Sequence, residues 1–394
     1  MTAIDTIDPF AGPGGWSVAA KVLGLREVGI ELDPHACATR AAAGHLTIRA
    51  DVAAMPTHRM AGKIRGLIAS PPCGTFSAAG KGEGIGDMPL IHHCLDDLAA
   101  GRDTRAQLAA ACSDPRTPLV VEPLRYAMDL RPEWIALEQV PAVLPLWEHI
   151  ARILRSRGYS AWAGILNAAD YGVPQTRKRA ILIASRVRAV APPEPTHYDP
   201  RKGLQLWGSP WVSMAEALGW AGPLAAGVVN TRGERKTQGG NEFSPSGPSW
   251  ALTEKTRSWV VRTSFGRPTR GAHEVDPFQS PSHAVTTKAR SWVLLRNTQE
   301  RAAVRKLDEP ASTLLFGARG NDVSWIAPDN SPIRISIEEA AVLQSFPAGY
   351  PFQGTKTQKF LQVGNAVPPL LALHVLSAAT GITIAERTTA ALSP

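Results

Sequence analysis

Three stretches place reactive residue types at the ends of apolar runs. SPPCGTFSAAGKG (70–82) follows the run GLIAS and carries Cys73 directly after Pro71 and Pro72. Two prolines stiffen the backbone, so the thiol is presented at a strand's carboxyl end, where α/β folds gather their ligands. A lone cysteine is more often an inert core residue. A Pro-Pro-Cys strand end in polar surroundings points instead to a thiolate nucleophile. The loop beyond it is small, and basic at Lys81, which suits closure over a substrate. Thiolate addition to an electron-poor ring carbon needs an acid beside the ring. Glu138, near the end of EWIALEQ, is the candidate acid. In QTRKRAILIAS (175–185) the alternation of an extended segment puts Gln175, Arg177 and Arg179 on one side. Two guanidiniums on one face can hold a carbonyl and a phosphate.

A second set of residues points to a nucleoside ligand. DPFAGPGGWS (8–17) follows an apolar run, and Gly12, Gly14 and Gly15 permit a tight turn and close approach of a ligand at a helix start. Glu31 ends the next apolar run about 20 residues on, where a carboxylate can bind ribose hydroxyls. Asp51 lies after a third short segment, placed to accept from an adenine amino group. These residues do not separate a methionine-linked nucleoside from a dinucleotide.

Positioning these groups requires a parallel α/β sheet. Residues 1–190 alternate short apolar runs with helical stretches, giving expected strands at Ala3–Ile7, Glu27–Ile30, Gly66–Ala69, Trp134–Glu138 and Ala180–Ala184. Asp33-Pro34 caps a helix running to about Ala43. Residues 83–117 read as an insertion, helical from about Thr104 to Cys112. Pro192, Pro193 and Pro195 end the alternation, and only Ser213–Leu218 reads as helix before Ser336, where a capping box with Glu339 opens another. The expected organisation is a catalytic domain (1–190), a β-rich domain (191–325) and a C-terminal return to the first (326–394).

The middle region repeats. Trp259, Trp292 and Trp325 are 33 residues apart, and segments 227–259, 260–292 and 293–325 each combine a proline, a Thr-containing strand, a basic turn and a Trp-bearing strand. Each carries five Lys or Arg against three, two and four acidic residues, so 15 − 9 = +6 of the chain's net +8 falls in these 99 residues. Stacked hairpins that bury their Trp residues account for the pattern; phosphate contacts account for the charge.

The bulk composition excludes other classes. With 394 residues, 44% hydrophobic and 19% charged, the chain has enough apolar content for two domains. Four cysteines without a CxxC pair do not form a secreted disulfide framework and fit a reducing cytoplasm. No basic, apolar leader opens the chain and no run of about 18 apolar residues occurs. His92-His93-Cys94 lacks partners at metal spacing, so no metal is expected.

The blocks DPFAGPGG, SPPC, QTRKR and QVGNAVPP, in this order, resemble the DNA cytosine-5 methyltransferase family over residues 4–185 and about 309–376. The resemblance implies a Rossmann-like S-adenosylmethionine-dependent methyltransferase domain with a smaller β-rich target-recognition domain. It implies that Phe10 stacks on the cofactor adenine, Glu31 binds ribose and Asp51 adenine. Gly12, Gly14, Pro71, Asn365 and Val367 complete the expected cofactor set. It makes Cys73 the nucleophile, Glu138 the group at cytosine N3 and the exocyclic amine, and Arg179 with Arg177 the holder of the cytosine carbonyl and the loop. The expected partner is double-stranded DNA, bound by a monomer in the cytoplasm, at the nucleoid. An RNA cytosine-5 methyltransferase and a catalytically silent DNA-binding protein are the alternatives. Two positions depart from the family: Gln139 stands where Asn is usual after the acid, and Gly74 where Gln is frequent after the nucleophile.

Overall fold

The computed structural model describes residues 4–77, 82–200, 203–218, 336–385 and short strands between 249 and 334. Its centre is a seven-stranded sheet of β1 (Thr6–Pro9), β2 (Glu27–Glu31), β3 (Leu46–Arg49), β4 (Gly66–Ala69), β5 (Trp134–Gln139), β6 (Ser160–Asn167) and β7 (Lys178–Ser185). The order is β3-β2-β1-β4-β5-β7-β6; the first five run parallel, and β7 is antiparallel to both β5 and β6. This is a doubly wound, Rossmann-like arrangement. The first strand starts three residues later than the apolar run suggested and extends to Pro9, so Asp8 is a strand residue. Ser160–Asn167 is a strand the sequence reading did not assign; its apolar run AWAGIL lies mostly half-exposed.

Both faces of the sheet are covered, which the strand residues anticipate by alternation. In β5, Trp134 and Ala136 join one core cluster while Ile135 and Leu137 join the other. On the first face lie α1 (Gly15–Val22) and, from the end of the chain, α7 (Ile337–Leu343), α8 (Lys356–Asn365) and α9 (Pro369–Thr380). On the second lie α3 (Met88–Ala99), α5 (Glu122–Leu130) and α6 (Leu144–Ser156). Further helices are α2 (Pro34–Ala42), capped by Asp33 as expected, and α4 (Arg105–Ala111). The Ser336–Glu339 capping box opens α7, and Ser213 caps Met214–Ala217 in the same way. Lys356–Thr380 matches a membrane span in length and mean hydropathy, but 83% of its apolar window is buried in the protein, which makes it core.

Most of residues 219–335, including most of the three repeats, lie outside the described residues. The described strands Trp259–Val260, Val293–Arg296 and Ser324–Ile326, one at each repeat's Trp end or just beyond it, fall in one five-stranded sheet with Val304–Lys306 and Pro332–Arg334.

The C-terminal return is locked onto the first turn of α1. A Cβ at Gly15 would sit 2.1 Å from the Val367 carbonyl oxygen, and Tyr350 donates to the Pro13 carbonyl at 2.6 Å. Gly15→Ala must push backbone against backbone, and a loss of about 1–3 kcal/mol is expected. Urea unfolding of the variant checks this; an unchanged midpoint would contradict the packing.

Candidate active site

The carboxyl edge of the sheet gathers the reactive residues. Phe10 follows β1, Glu31 ends β2, Asp51 follows β3, Cys73 follows β4, and Glu138 lies one residue from the end of β5. Because β7 runs the other way, its start lies at the same edge and brings Arg179 beside Glu138. Among the described residues, no group of three or more His, Cys, Asp or Glu could hold a metal ion.

Phe10 adopts φ 68°, a left-handed backbone that a bulky residue rarely takes. Its N–H and that of Ala11 both donate to the Ile30 carbonyl, which holds the strained turn in place. Strain of this kind persists where surrounding structure enforces it, commonly at ligand sites. The three glycines then divide. Gly12, at φ 54°, faces open space, and its N–H donates to Glu31 Oε2 at 2.8 Å. Gly14 and Gly15 face protein: a Cβ at Gly14 would lie 2.7 Å from Tyr350 Oη. The missing side chain of Gly14 also makes room for the C-terminal return. Glu31 Oε1 accepts from the N–H groups of Leu32 and Asp33, which fixes its carboxylate at the rim. Asp51 is exposed and accepts from Ala53 N–H at 2.9 Å.

Asp8 has no counterpart in the sequence reading. It is fully buried, and neither carboxylate oxygen has a hydrogen-bond partner. Burial, then repulsion from Glu27, holds its pKa well above the ordinary value near 3.8, with Arg40 acting the other way. Arg40 is itself committed to Glu27 at 2.8 Å and to Ser17 Oγ at 2.7 Å.

On the nucleophile side, Trp16 Nε1 donates to Ser70 Oγ at 2.9 Å, and the Cys73 carbonyl accepts from the N–H groups of Phe76 and Ser77. Cys73 is half-buried, and Pro71 is buried. Glu138 is 6% exposed and pairs through Oε1 with Arg179 Nε at 2.8 Å. Arg177 is 2% exposed and donates from Nη1 to the Gly364 carbonyl at 3.0 Å, next to Asn365. Burial, then repulsion from Arg179, lowers the Arg177 pKa well below its usual value, while Glu138 and Cys73 pull it back up. Such a guanidinium still stays protonated. The pair thus carries opposite loads: Arg179 faces the acid, and Arg177 ties the nucleophile side to the C-terminal return. Gln175 is spent on that return as well, donating to Gln344 Oε1 at 2.8 Å. Asn365 is exposed and Val367 buried.

Both departures from the family pattern are accommodated. Gln139 is 1% exposed, donates from Nε2 to the Pro71 carbonyl at 2.8 Å and accepts from Val140 N–H at 2.6 Å. At Gly74 a Cβ would lie 3.2 Å from Arg116 Nη1, so a guanidinium from outside the motif fills the space beside the nucleophile. Arg116 is in turn held by Asp114. No local pattern around Arg116 announces this proximity.

Residues 4–89 and 107–380 match the sequence profile of the C-5 cytosine-specific DNA methylases. The chain belongs to this family. It is 27% identical over 412 residues to the type II methyltransferase M.XorII of Xanthomonas oryzae pv. oryzae, covering 95% of this chain and 84% of that protein. It is 25% identical to the type II methyltransferase M1.HphI of Haemophilus parahaemolyticus, over 94% and 85% of the two chains. Among solved structures, a putative DNA modification methyltransferase encoded within an Escherichia coli prophage superposes with TM-score 0.54 at 20% identity, covering 96% of this chain and 99% of that one. The S. pombe Dnmt2 methyltransferase gives 0.52 at 11%, over 96% and 99%. These likenesses carry the fold.

Asp8 makes a stability prediction for the cofactor-free methylase. A carboxyl whose folded pKa is raised contributes stability that is complete below its ordinary pKa near 3.8 and is lost as the pH rises through the folded value. Asp8→Asn removes that loss, so its melting temperature should gain on wild type progressively above pH 4. Thermal unfolding from pH 4 to 8 checks the trend; a constant difference would contradict it.

Proposed function

We propose that this methylase transfers a methyl group from S-adenosylmethionine to carbon 5 of a cytosine in duplex DNA, through a transient covalent bond to Cys73. What supports the reading most is the juxtaposition at one sheet edge of the Pro-Pro-presented thiol, the buried Glu138–Arg179 pair and the strained glycine turn.

The cofactor's parts find suitable groups. Glu31 keeps lone pairs for ribose hydroxyls, Asp51 is exposed for the adenine amine, and Phe10 stands at the turn for stacking. The orphaned, buried Asp8 carboxyl is the kind of group that a ligand ammonium completes. Pro71 from the nucleophile loop and Asn365 and Val367 from the C-terminal return would complete the cofactor pocket. When bound, S-adenosylmethionine supplies an electrophilic methyl group.

The target cytosine leaves the base stack, because carbon 6 is inaccessible within the duplex. The Cys73 thiolate adds to carbon 6 and forms the S–C bond, while Glu138 binds N3 and the exocyclic amine, stabilising the N3-protonated form. Arg179 keeps Glu138 oriented and faces the base carbonyl. Carbon 5, now enamine-like, takes the methyl group, with S-adenosylhomocysteine as the leaving group. A water molecule removes the carbon 5 proton, the S–C bond breaks, the Cys73 thiolate is released, and the proton on N3 returns to Glu138. The basic repeats of residues 227–325 would contact phosphates and base edges, and a role in a restriction–modification pair fits this chemistry.

Tritium transfer from labelled cofactor, measured side by side on duplex DNA and tRNA, tests the proposal. Label is expected in 5-methylcytosine of DNA and absent with Cys73→Ser. Transfer to tRNA alone would favour an RNA substrate, and undiminished transfer by Cys73→Ser would remove the covalent mechanism.

A further inference from the structure

The β4–β5 ladder ends in an unusual way. Trp134 N–H donates to the Arg65 carbonyl, and the register runs from Gly66↔Trp134 to Ala69↔Leu137. Continued by two residues, that register would place Pro71 against Gln139. The next rungs would then be Pro71 N to the Glu138 carbonyl and Val140 N–H to the Pro71 carbonyl. Proline has no N–H, so the first of these rungs cannot form. The second is replaced: the Gln139 carboxamide accepts from Val140 N–H at 2.6 Å and donates to the Pro71 carbonyl at 2.8 Å. A side-chain amide is thus inserted into a backbone rung, satisfying both buried groups while holding the strand ends one amide apart.

We infer that Gln139 is a positioning residue whose length sets the separation between Cys73 and Glu138. The inference rests on the reading of these two residues given above. The amide grips the chain two residues before Cys73 and starts from the residue after Glu138, so both reacting groups hang from the same bridge. At 1% exposure, no water stands ready to replace it. Asparagine, usual in the family here, is one methylene shorter. In this chain it must either release the Pro71 carbonyl or draw the strand ends together, and either change moves the thiol relative to the acid. Glutamate keeps the acceptor for Val140 but presents an oxygen to the Pro71 oxygen, and leucine fills the volume with neither bond.

Single-turnover methyl transfer to duplex DNA, alongside cofactor dissociation constants and melting temperatures, tests the inference on the full-length protein. Gln139→Asn is expected to slow transfer by roughly 100-fold, as small misplacements of reacting groups do. Its cofactor affinity should stay within about twofold of wild type, and its melting temperature should fall by no more than the few degrees that one unpaired buried carbonyl costs. Gln139→Glu and Gln139→Leu should slow transfer at least as much. A Gln139→Asn rate equal to wild type would overturn the inference, as would a loss matched by lost cofactor affinity or stability. Absence of transfer by wild type would overturn the underlying reading of Cys73 and Glu138 instead.

Discussion

A parallel sheet can present a side chain at its carboxyl edge only where a strand stops pairing, and here the stop is imposed by covalent chemistry. Pro71 cannot donate to the Glu138 carbonyl, so β4 separates from β5 at Ala69 and the chain turns outward with Cys73 at its tip. Freed backbone groups in a buried place carry a desolvation cost unless they find partners. Gln139 holds the Pro71 carbonyl and the Cys73 carbonyl accepts from Phe76 and Ser77, while Trp16 anchors the Ser70 hydroxyl beside them. The position of the thiol follows from these attachments.

The second constraint is charge. Glu138 and Arg179 are buried together, and a buried ion pair is sustained only with close geometry and further hydrogen bonds. Antiparallel β7 makes this possible by delivering Arg179 from the edge at which β5 ends. Arg177, two residues earlier, reaches the Gly364 carbonyl and thereby couples the sheet edge to the last helices. Those helices return to cover α1, and Gly14 and Gly15 are small because Tyr350 and Val367 press against them. The glycine-rich turn therefore faces two ways: Gly12 is open, and Gly14 and Gly15 are packed against the C-terminal return.

Much of this was legible in the residues. Apolar runs marked β2, β4, β5 and β7, and the caps at Asp33 and Ser336 located helix starts, because both signals are local. The half-exposed β6 escaped because its alternation is weak, and α3 was hidden inside what read as an insertion. In the site, Cys73, Glu138 and the arginines were visible as types at strand ends. Arg116 beside Gly74, the orphaned Asp8 and the Gln139 bridge were not, since each depends on a contact between segments distant in the chain. Gln139 did stand out as a departure from the family pattern, yet the sequence offered no way to see that its extra methylene spans a missing rung.

The most direct measurement on the central account is mass mapping of the adduct formed with a duplex carrying 5-fluorocytosine at the target position. Fluorine at carbon 5 cannot leave as a proton does, so the enzyme should stall with its sulfur still bonded to carbon 6. The account predicts a cofactor-dependent, denaturant-stable complex whose cross-linked peptide contains Cys73. An adduct mapped to Cys37, Cys94 or Cys112, or methyl transfer to ordinary cytosine with no adduct at all, would contradict it.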